Sequence, residues 1–477
     1  MEQFKEMTSR LSLKSSEFMH SYYFLAFQII YTVIAWYLAT SFVRAPYRII
    51  GEYILVIGFC ISMLCILIFS SDGALIGTPV LFAMFGFAVL PYFDTLPVSI
   101  TVMGVVLILS LLLMFLKKMF VTKDINFKFG SIGISFSLVV FFLFVSELVN
   151  QFTRPTAYDA YGWVSISIAA IILLLYFFFV STSEKGYMDH LNKVFYSMNL
   201  IVLIELFMVV ISVNFSGRNY IYDLGWGTKN VISLALEICL PFVALIFSNN
   251  KRRIDALIIL GLDYFFIFAS HSRGGSVTAV GLAFVLAYIL ASGLGSRKTR
   301  GKKRFWSNYL IFIAGVVAVC YSFYLFSPTV HENINYLLQN TTNLTDRDKI
   351  WKECIVYVKQ NWLFGGSMTG LFEMYQDFGY NDNIGIWLCH NTVFTLITAG
   401  GVLCVLAYIY NVFETVYSSF KIKSMMKYAV ICFLLIGFVH GMVDNTFFNP
   451  LYMIPFIMIF SKPDLKNAYL KNSNSIN

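Results

Sequence analysis

The chain of 477 residues is strongly apolar, because 58% of its residues are hydrophobic, only 13% are charged and its mean hydropathy is +0.73. This composition excludes a soluble globular protein and is typical of a chain that crosses a membrane many times. We expect an all-α polytopic membrane protein with about 12–14 transmembrane helices and one large extracytoplasmic loop that carries an amphipathic helix.

About fourteen segments approach the length of roughly 20 apolar residues that a helix needs to cross the hydrocarbon core. They are residues 22–43, 49–70, 76–94, 98–119, 130–149, 161–180, 194–213, 229–248, 254–270, 274–292, 306–326, 391–412, 427–445 and 449–461. Prolines interrupt the third and the last of them, at Pro79, Pro91, Pro450 and Pro455. Met1–Glu17 is polar and lacks the apolar core of a cleaved signal peptide, so the first span is expected to remain as an anchor.

Lysines and arginines in the short loops predict the orientation, because cytoplasmic loops carry an excess of both residues. With these spans, most of the basic loop residues fall on one side of the membrane. They are Lys117, Lys118, Lys123, Lys128, Lys251, Arg252, Arg253, Arg297, Lys298, Arg300, Lys302, Lys303, Arg304, Lys421, Lys423, Lys427, Lys462, Lys466 and Lys471. We assign that side to the cytoplasm, although Arg44 and Arg48 go against the rule. The net charge of +8 then reflects topology and contact with anionic lipids, and no nucleic-acid surface is predicted.

The segment 327–390 is too polar for the hydrocarbon core and falls on the opposite, outer side. Within it, Thr345 and Asp348 form a capping box, which predicts that a helix begins there. Apolar side chains follow at helical spacing, at Ile350, Trp351, Cys354, Ile355 and Val358. This helix is expected to lie on the membrane surface.

The eight cysteines are scattered and contain no Cys-x-x-Cys pair, so the sequence indicates neither a zinc site nor a redox motif. Cys354 and Cys389 share the polar segment and could form a disulfide outside the cytoplasm, but the pattern favours two free thiols. A Walker-type phosphate loop, metal-ligand spacing and a serine nucleophile elbow are also missing from the sequence. No cofactor, metal or cytoplasmic ATPase activity is therefore predicted.

Four arginines, Arg154, Arg218, Arg273 and Arg347, face the outer side in this topology. Arg273 stands in the run HSRGGS that begins at His271, between two spans, where an ionised side chain is costly and usually functional. The glycines allow close approach of a ligand, and the amides of the next helix add to the guanidinium, so the place suits a phosphate or pyrophosphate. The alternative interpretation is an arginine that extends to the outer headgroups.

Two other positions have both a functional and a structural interpretation, and one further pair of residues has a structural interpretation. Arg347 begins the surface helix, where an anion is favoured, but by itself an arginine there is more often a solvated first-turn residue than a ligand. His390 can exchange a proton near neutral pH, or it can bond a backbone carbonyl at the membrane interface. His440 and Asp444, four residues apart, are predicted to share a helix face as a buried hydrogen-bonded pair.

Together these motifs resemble those of the O-antigen ligase and polymerase superfamily over residues 215–410. The matching motifs are Gly225-Trp226-Gly227 before Asn230, Ser272-Arg273-Gly274-Gly275, Asp346-Arg347 with Trp351, Trp362-Leu363-Phe364-Gly365, His390-Asn391 and Gly400-Gly401. The earlier part of the chain is similar only as apolar helices. Such proteins usually have a small residue where this chain has Asp346.

The resemblance implies a metal-independent, inverting glycosyl transfer at the outer face of the bacterial inner (cytoplasmic) membrane, with an undecaprenyl-diphosphate-linked glycan as donor. Arg273 and Arg347 would bind the diphosphate, and His390 would act as general base or position the acceptor. Supporting roles would fall to Arg218, Arg154, Asn391 and Trp351. The implied partners are the lipid-linked oligosaccharide and the bilayer, with a flippase and a chain-length regulator as candidate protein partners.

This interpretation divides the chain into four parts. They are N-terminal transmembrane helices (1–213), a ligase/polymerase-like region (214–412), C-terminal transmembrane helices (413–461) and a cytoplasmic tail (462–477). The expected function is polymerisation of O-antigen, capsule or exopolysaccharide repeat units.

Two alternatives remain open. A ligase that moves finished glycan from the lipid carrier onto an acceptor would share the same motifs. A flippase for lipid-linked oligosaccharide belongs to another class, and it would use carboxylates inside the membrane. Carboxylates in or near spans are present at Glu147, Glu205, Glu237, Asp255 and Asp263.

Overall fold

The structure of the chain is a computed structural model. It describes residues 17–39, 45–86, 96–123, 125, 129–153, 159–182, 187–212, 229–249, 253–270, 272–295, 302–339, 347–377, 389–422, 424–442 and 444–461. Within these ranges the regular structure is helical, and no strand occurs. A 3-10 turn, Gly73–Ile76, precedes the third α-helix, and a π-helical turn, Lys117–Thr122, extends the fourth.

The α-helices are α1 (Tyr22–Ala39), α2 (Ala45–Phe69), α3 (Gly77–Gly86), α4 (Leu96–Leu116), α5 (Gly130–Thr153), α6 (Asp159–Thr182), α7 (Tyr187–Ser212), α8 (Lys229–Asn249), α9 (Arg253–Ala269), α10 (Arg273–Gly295), α11 (Lys302–Phe326), α12 (Pro328–Gln339), α13 (Arg347–Gln360), α14 (Ser367–Asp377), α15 (Thr392–Phe420), α16 (Met426–Gly441) and α17 (Pro450–Phe460). Each predicted apolar segment overlaps one of these helices.

Ten of the described helices are long and apolar enough to cross a membrane. These are α1, α2, α4, α5, α6, α7, α8, α10, α11 and α15. Three shorter apolar helical segments, Gly73–Gly86, Met426–Gly441 and Pro450–Phe460, add to them. The expectation of an all-α, multi-pass membrane protein is therefore confirmed, and the apolar side chains exposed on the outer surfaces of these helices suit contact with lipid.

The polar segment after α11 contains three helices, where the sequence predicted one. The predicted helix begins at Arg347, as α13, while the cap residue Thr345 lies outside the described residues. The helix α12 follows Ser327, whose hydroxyl accepts from the amide of Val330 at 3.4 Å, and Pro328 occupies its first position. This Ser-Pro start was a helix signal that the hydropathy pattern did not reveal.

The chain forms two compact units. The first contains residues 1–127, 178–335 and 428–432, and the second contains 128–177, 336–427 and 433–477. In the first unit, α7, α9 and α10 pack around α8, and 94% of the apolar window Asn230–Ser248 is buried. A helix buried on all sides needs apolar residues all round, which α8 has.

The second unit is organised around the pairing of α5 with α15. Helix α14 contacts both of these helices, and α13 packs against α15. The side chain of Phe136 on α5 makes edge-to-face contacts with Phe447 and Phe456, at centroid distances of 5.9 and 6.4 Å. These contacts bring the polar segment and the C-terminal helices of this unit against one apolar core.

Candidate functional site

Helix α15 is broken at Gly401, which has a positive φ of 71°. A break in a buried helix leaves backbone groups that need new partners, because the apolar surroundings offer none. The segment before α14 supplies two of them. The amide of Gly366 donates to the carbonyl of Thr398 at 2.7 Å, and the amide of Val402 donates to the carbonyl of Trp362 at 2.9 Å.

Two glycine motifs of the sequence meet at this break. Gly365 also has a φ of 71°, and a Cβ built on it would lie 2.5 Å from the amide nitrogen of Gly401. A Cβ on Gly401 would in turn collide with the carbonyl of Leu363. The motifs Trp362-Leu363-Phe364-Gly365 and Gly400-Gly401 therefore form one backbone-to-backbone contact, which only glycine permits.

Glu147 on α5 binds the N-terminus of α14. Its carboxylate accepts from the amides of Met368 at 3.1 Å and Thr369 at 3.3 Å, and from the Thr369 hydroxyl. The side chain is fully buried, and a carboxylate at this end of a helix is stabilised by the unpaired amides and the helix dipole. Of the carboxylates that suggested transport, Glu147 is thus placed as an anchor for a helix.

His390 stands immediately before α15, with a φ of 48°. The next residue, Asn391, caps the helix, because its side-chain oxygen accepts from the amides of Val393 at 2.9 Å and Phe394 at 3.1 Å. Its side-chain nitrogen donates to the carbonyl of Met442 at 3.0 Å. Asn391 therefore supports the site by holding the backbone next to His390.

The side chain of His390 faces the carboxylate of Asp444. Nδ1 of His390 lies 3.7 Å from Oδ1 of Asp444, and the two side chains are 32% and 25% exposed. This separation is longer than a hydrogen bond, so the two groups interact as an ion pair when the imidazole is protonated. The sequence did not predict this pairing, because the partners lie far apart in the chain.

His440 and Asp444 do not share a helix face as predicted, because α16 ends between them. The helix stops at Gly441, so Asp444 belongs to the following turn, where its amide donates to the carbonyl of His440 at 2.8 Å. His440 is almost completely buried, and its charge still acts on Asp444. The turn thus presents the Asp444 carboxylate to His390.

The ionisation of Asp444 follows from its neighbours. Burial raises the pKa of Asp444, but the interaction with His390, the charge of His440 and the amide of Asn445 outweigh burial and lower the pKa to about 2. The Asn445 amide donates to Oδ1 at 2.8 Å. Asp444 is therefore a carboxylate throughout the physiological pH range.

The Asn445 side chain fixes the backbone of His390. With its amide oriented to satisfy both ends, the oxygen accepts from the His390 amide at 3.2 Å, and the nitrogen donates to the Thr395 hydroxyl at 2.7 Å and to the Asn391 carbonyl at 3.2 Å. The Thr395 hydroxyl also accepts from the Cys389 amide at 3.1 Å. The unusual φ of His390 is thus held by neighbouring hydrogen bonds.

Trp351 attaches α13 to the same place. Its indole nitrogen donates to the carbonyl of Cys389 at 2.9 Å, and its ring stacks on Phe394 at a centroid distance of 5.4 Å. Arg347 lies one helical turn before Trp351, on the same side of α13, and is partly buried. Trp351, one turn after Arg347, therefore joins α13 to the residue that precedes His390.

Arg273 is the first residue of α10, in the first unit, and is partly buried. Ser272 caps this helix by accepting from the Gly275 amide at 3.1 Å, and its hydroxyl donates to Asn230 at 2.9 Å. A Cβ on Gly275 would collide with Ser233 of α8. Ser272 and Gly275 of the Ser272-Arg273-Gly274-Gly275 motif therefore pack α10 against α8.

Of the predicted site residues, His390, Asn391 and Trp351 lie together within the second unit, and Arg347 begins the helix that carries Trp351. Arg154, Arg218 and the motif Gly225-Trp226-Gly227 lie outside the described residues. Asn445 is an addition that only the tertiary structure reveals, and Asp444, which the sequence paired with His440, also faces His390. Among the described residues no cluster of three or more histidine, cysteine, aspartate or glutamate side chains could hold a metal ion.

A comparison of the chain with protein-family models gave no match, and a comparison with curated protein sequences gave none either.

Proposed function

We propose that the protein is a polysaccharide polymerase that joins undecaprenyl-diphosphate-linked repeat units at the outer face of the bacterial inner membrane. It would act as a metal-independent, inverting glycosyltransferase on O-antigen, capsule or exopolysaccharide repeats. The observation that carries the proposal is the pairing of His390 with Asp444, at 3.7 Å, beside α13, whose Trp351 contacts Cys389 and whose first residue is Arg347. This arrangement supplies a proton acceptor and a cation on neighbouring elements.

The His390–Asp444 pair is suited to a general base. A carboxylate at Nδ1 favours the tautomer that carries its proton on Nδ1, which leaves the lone pair of Nε2 available. Nε2 can then accept the proton of a sugar hydroxyl while the oxygen attacks the anomeric carbon of the donor. The Asp444 carboxylate stabilises the imidazolium that forms, and its low pKa keeps it from taking the proton itself.

The leaving group of this reaction is a lipid diphosphate, whose negative charge grows as the glycosidic bond breaks. Guanidinium groups bind phosphate oxygens through two parallel hydrogen bonds and remain charged. Arg273 and Arg347 are each the first residue of a helix, where the helix dipole also favours an anion. Each residue therefore combines, within its own unit, two features that stabilise such a leaving group.

A ligase would use the same chemistry and differs only in its acceptor. A flippase is favoured by a separate observation in the first unit, where Glu205 and Asp263 are fully buried. Asp263 accepts from Asn199 at 2.7 Å, and neither carboxyl oxygen of Glu205 has a hydrogen-bond partner among the described residues. Carboxyl groups buried in a membrane are common in proton-coupled transport, so transport is the second candidate.

The glycan produced by the host distinguishes these functions. The gene is deleted and complemented with the wild type, with His390→Gln, or with His331→Gln, a matched histidine on the exposed surface of α12. We expect His390→Gln to reduce long-chain surface glycan about 100-fold or more and to leave single repeat units, because the general base is lost. His331→Gln should restore the complete ladder of chain lengths.

Other outcomes would redirect the proposal. Long chains that accumulate on the lipid carrier of the deletion strain would indicate a ligase. Single units retained at the cytoplasmic face would indicate a flippase. A normal ladder with His390→Gln, at wild-type protein levels, would exclude His390 as the general base.

A further inference from the structure

The thiols of Cys354 and Cys389 lie in contact inside the second unit. Their sulfur atoms are 3.0 Å apart, and both side chains are fully buried. Ile350, Leu371 and Met374 form the surrounding apolar cluster. The two cysteines come from different elements, since Cys354 is on α13 and Cys389 immediately precedes His390.

The distance between the sulfur atoms is only about 1 Å greater than a disulfide bond of about 2.05 Å. A shift of this size is within the reach of two side-chain rotations, so the bond needs no rearrangement of the helices. The neighbouring contacts already hold the two backbones together, because Trp351 of α13 donates to the carbonyl of Cys389 itself. The fold therefore presents this pair ready for covalent bonding.

We propose that Cys354 and Cys389 form a disulfide in the mature protein, which joins α13 to the residue next to His390. The inference rests on the outer placement of the α13 segment that the proposed function also uses, since disulfides persist outside the cytoplasm. It does not rest on the glycosyl-transfer chemistry. The free-thiol state that the sequence pattern favoured would then be the precursor.

The oxidation needs a partner, for which an extracytoplasmic thiol–disulfide oxidoreductase in its disulfide form is the chemical class required. The Cys354 thiolate attacks that disulfide, forms a mixed disulfide and releases one thiolate of the oxidoreductase. The Cys389 thiolate then attacks the sulfur of Cys354 and releases the second. Two electrons and the two thiol protons pass to the oxidoreductase, whose cysteines end as thiols.

Cys354 is the better first nucleophile of the two. A hydrogen bond from the Cys389 thiol lowers the pKa of Cys354 by more than burial raises it. Burial raises the pKa of Cys389 well above its usual value. Because the thiolate is the reactive form, contact between the two thiols favours Cys354 as the first nucleophile, before the apolar cluster closes over them.

The test counts oxidised cysteines in membranes of the native host. Free thiols are blocked with N-ethylmaleimide in denaturing detergent, disulfides are then reduced, and the released thiols are labelled with a polyethylene-glycol maleimide that shifts the band on a gel. We expect two labels on the wild type, and none on Cys354→Ser or Cys389→Ser. Cys404→Ser, which removes another buried thiol, should keep both labels.

A wild type that carries no label after reduction would overturn the inference, as would two labels on Cys354→Ser. Mass spectrometry of the unreduced wild type provides a second measurement that needs no variant, and it should find the peptides of Cys354 and Cys389 linked. The His390→Gln protein separates this inference from the proposed function. It should keep the two labels whether or not it makes glycan.

Discussion

The pairing of His390 with Asp444 gives the site its defined orientation. The side chain of Asn445 accepts from the backbone amide of His390 at 3.2 Å, and the carboxylate of Asp444 faces the imidazole ring. A histidine with positive φ is uncommon and is maintained here by these neighbours. The backbone of His390 is thus preorganised by one short turn after α16, which also places the Asp444 carboxylate 3.7 Å from its ring.

The pH dependence of stability should report the ionisation of Asp444. Its pKa is lowered from the usual 3.8 to about 2, so the native fold prefers the carboxylate. This preference contributes roughly 2 kcal/mol above pH 4 and is lost as the pH falls through about 2. We expect Asp444→Asn to reduce the free energy of unfolding in detergent by roughly that amount at pH 7, and by progressively less between pH 4 and pH 2.

Asp348→Asn serves as the control, because Asp348 makes an exposed ion pair with Lys352 at 3.8 Å on α13. Pairs of this kind contribute about 0.5 kcal/mol or less. An effect of Asp444→Asn that is the same at pH 7 and pH 2 would contradict the assigned ionisation.

Among the elements, α15 shows how a transmembrane helix can be broken without loss of hydrogen bonds. Ser146 of α5 donates to the carbonyl of Ala399 at 2.6 Å, and the amide of Gly366 donates to Thr398. Both carbonyls belong to the turn before the break. Helix α5 and the segment before α14 together replace the partners that the break removes.

Any side chain at position 401 should destabilise the protein at the break in α15. Gly401→Ala is expected to lower the free energy of unfolding by more than about 1 kcal/mol, because φ is positive and the new Cβ would meet the carbonyl of Leu363. Gly281→Ala on α10 is the matched control, since nothing lies within 4 Å of its Cβ position. That control should be neutral or stabilising by up to about 1 kcal/mol.

Thermal stability of the two purified proteins, followed by size-exclusion chromatography, measures the difference. A melting temperature of Gly401→Ala equal to that of the wild type would show that the contact between the two glycine motifs is not required.

For the whole molecule, the predicted orientation can be tested by accessibility in intact cells. The side chain of Lys352 on α13 is 75% exposed, so Lys352→Cys should react with a membrane-impermeant maleimide added outside. Lys421→Cys, which follows α15 on the predicted cytoplasmic side, should react only after the membrane is opened. The wild type measures the background from its native cysteines, and the opposite labelling pattern would invert the topology.

The sequence determined where the apolar helices lie, because hydropathy and length act locally and a span of α5 or α8 is recognisable without its neighbours. It also located the start of α13. It missed α14, whose N-terminus is held by the distant carboxylate of Glu147. Local pattern could not reveal a partner supplied by another helix.

The sequence also identified His390 as chemically interesting, and it singled out the glycine motifs. Only the tertiary structure decided their roles, because each depends on groups that are far apart in the chain. Asp444 pairs with His390, the glycines at 365 and 401 join two backbones, and Cys354 meets Cys389. Residue type determines what a side chain can do, and packing determines which partner it meets.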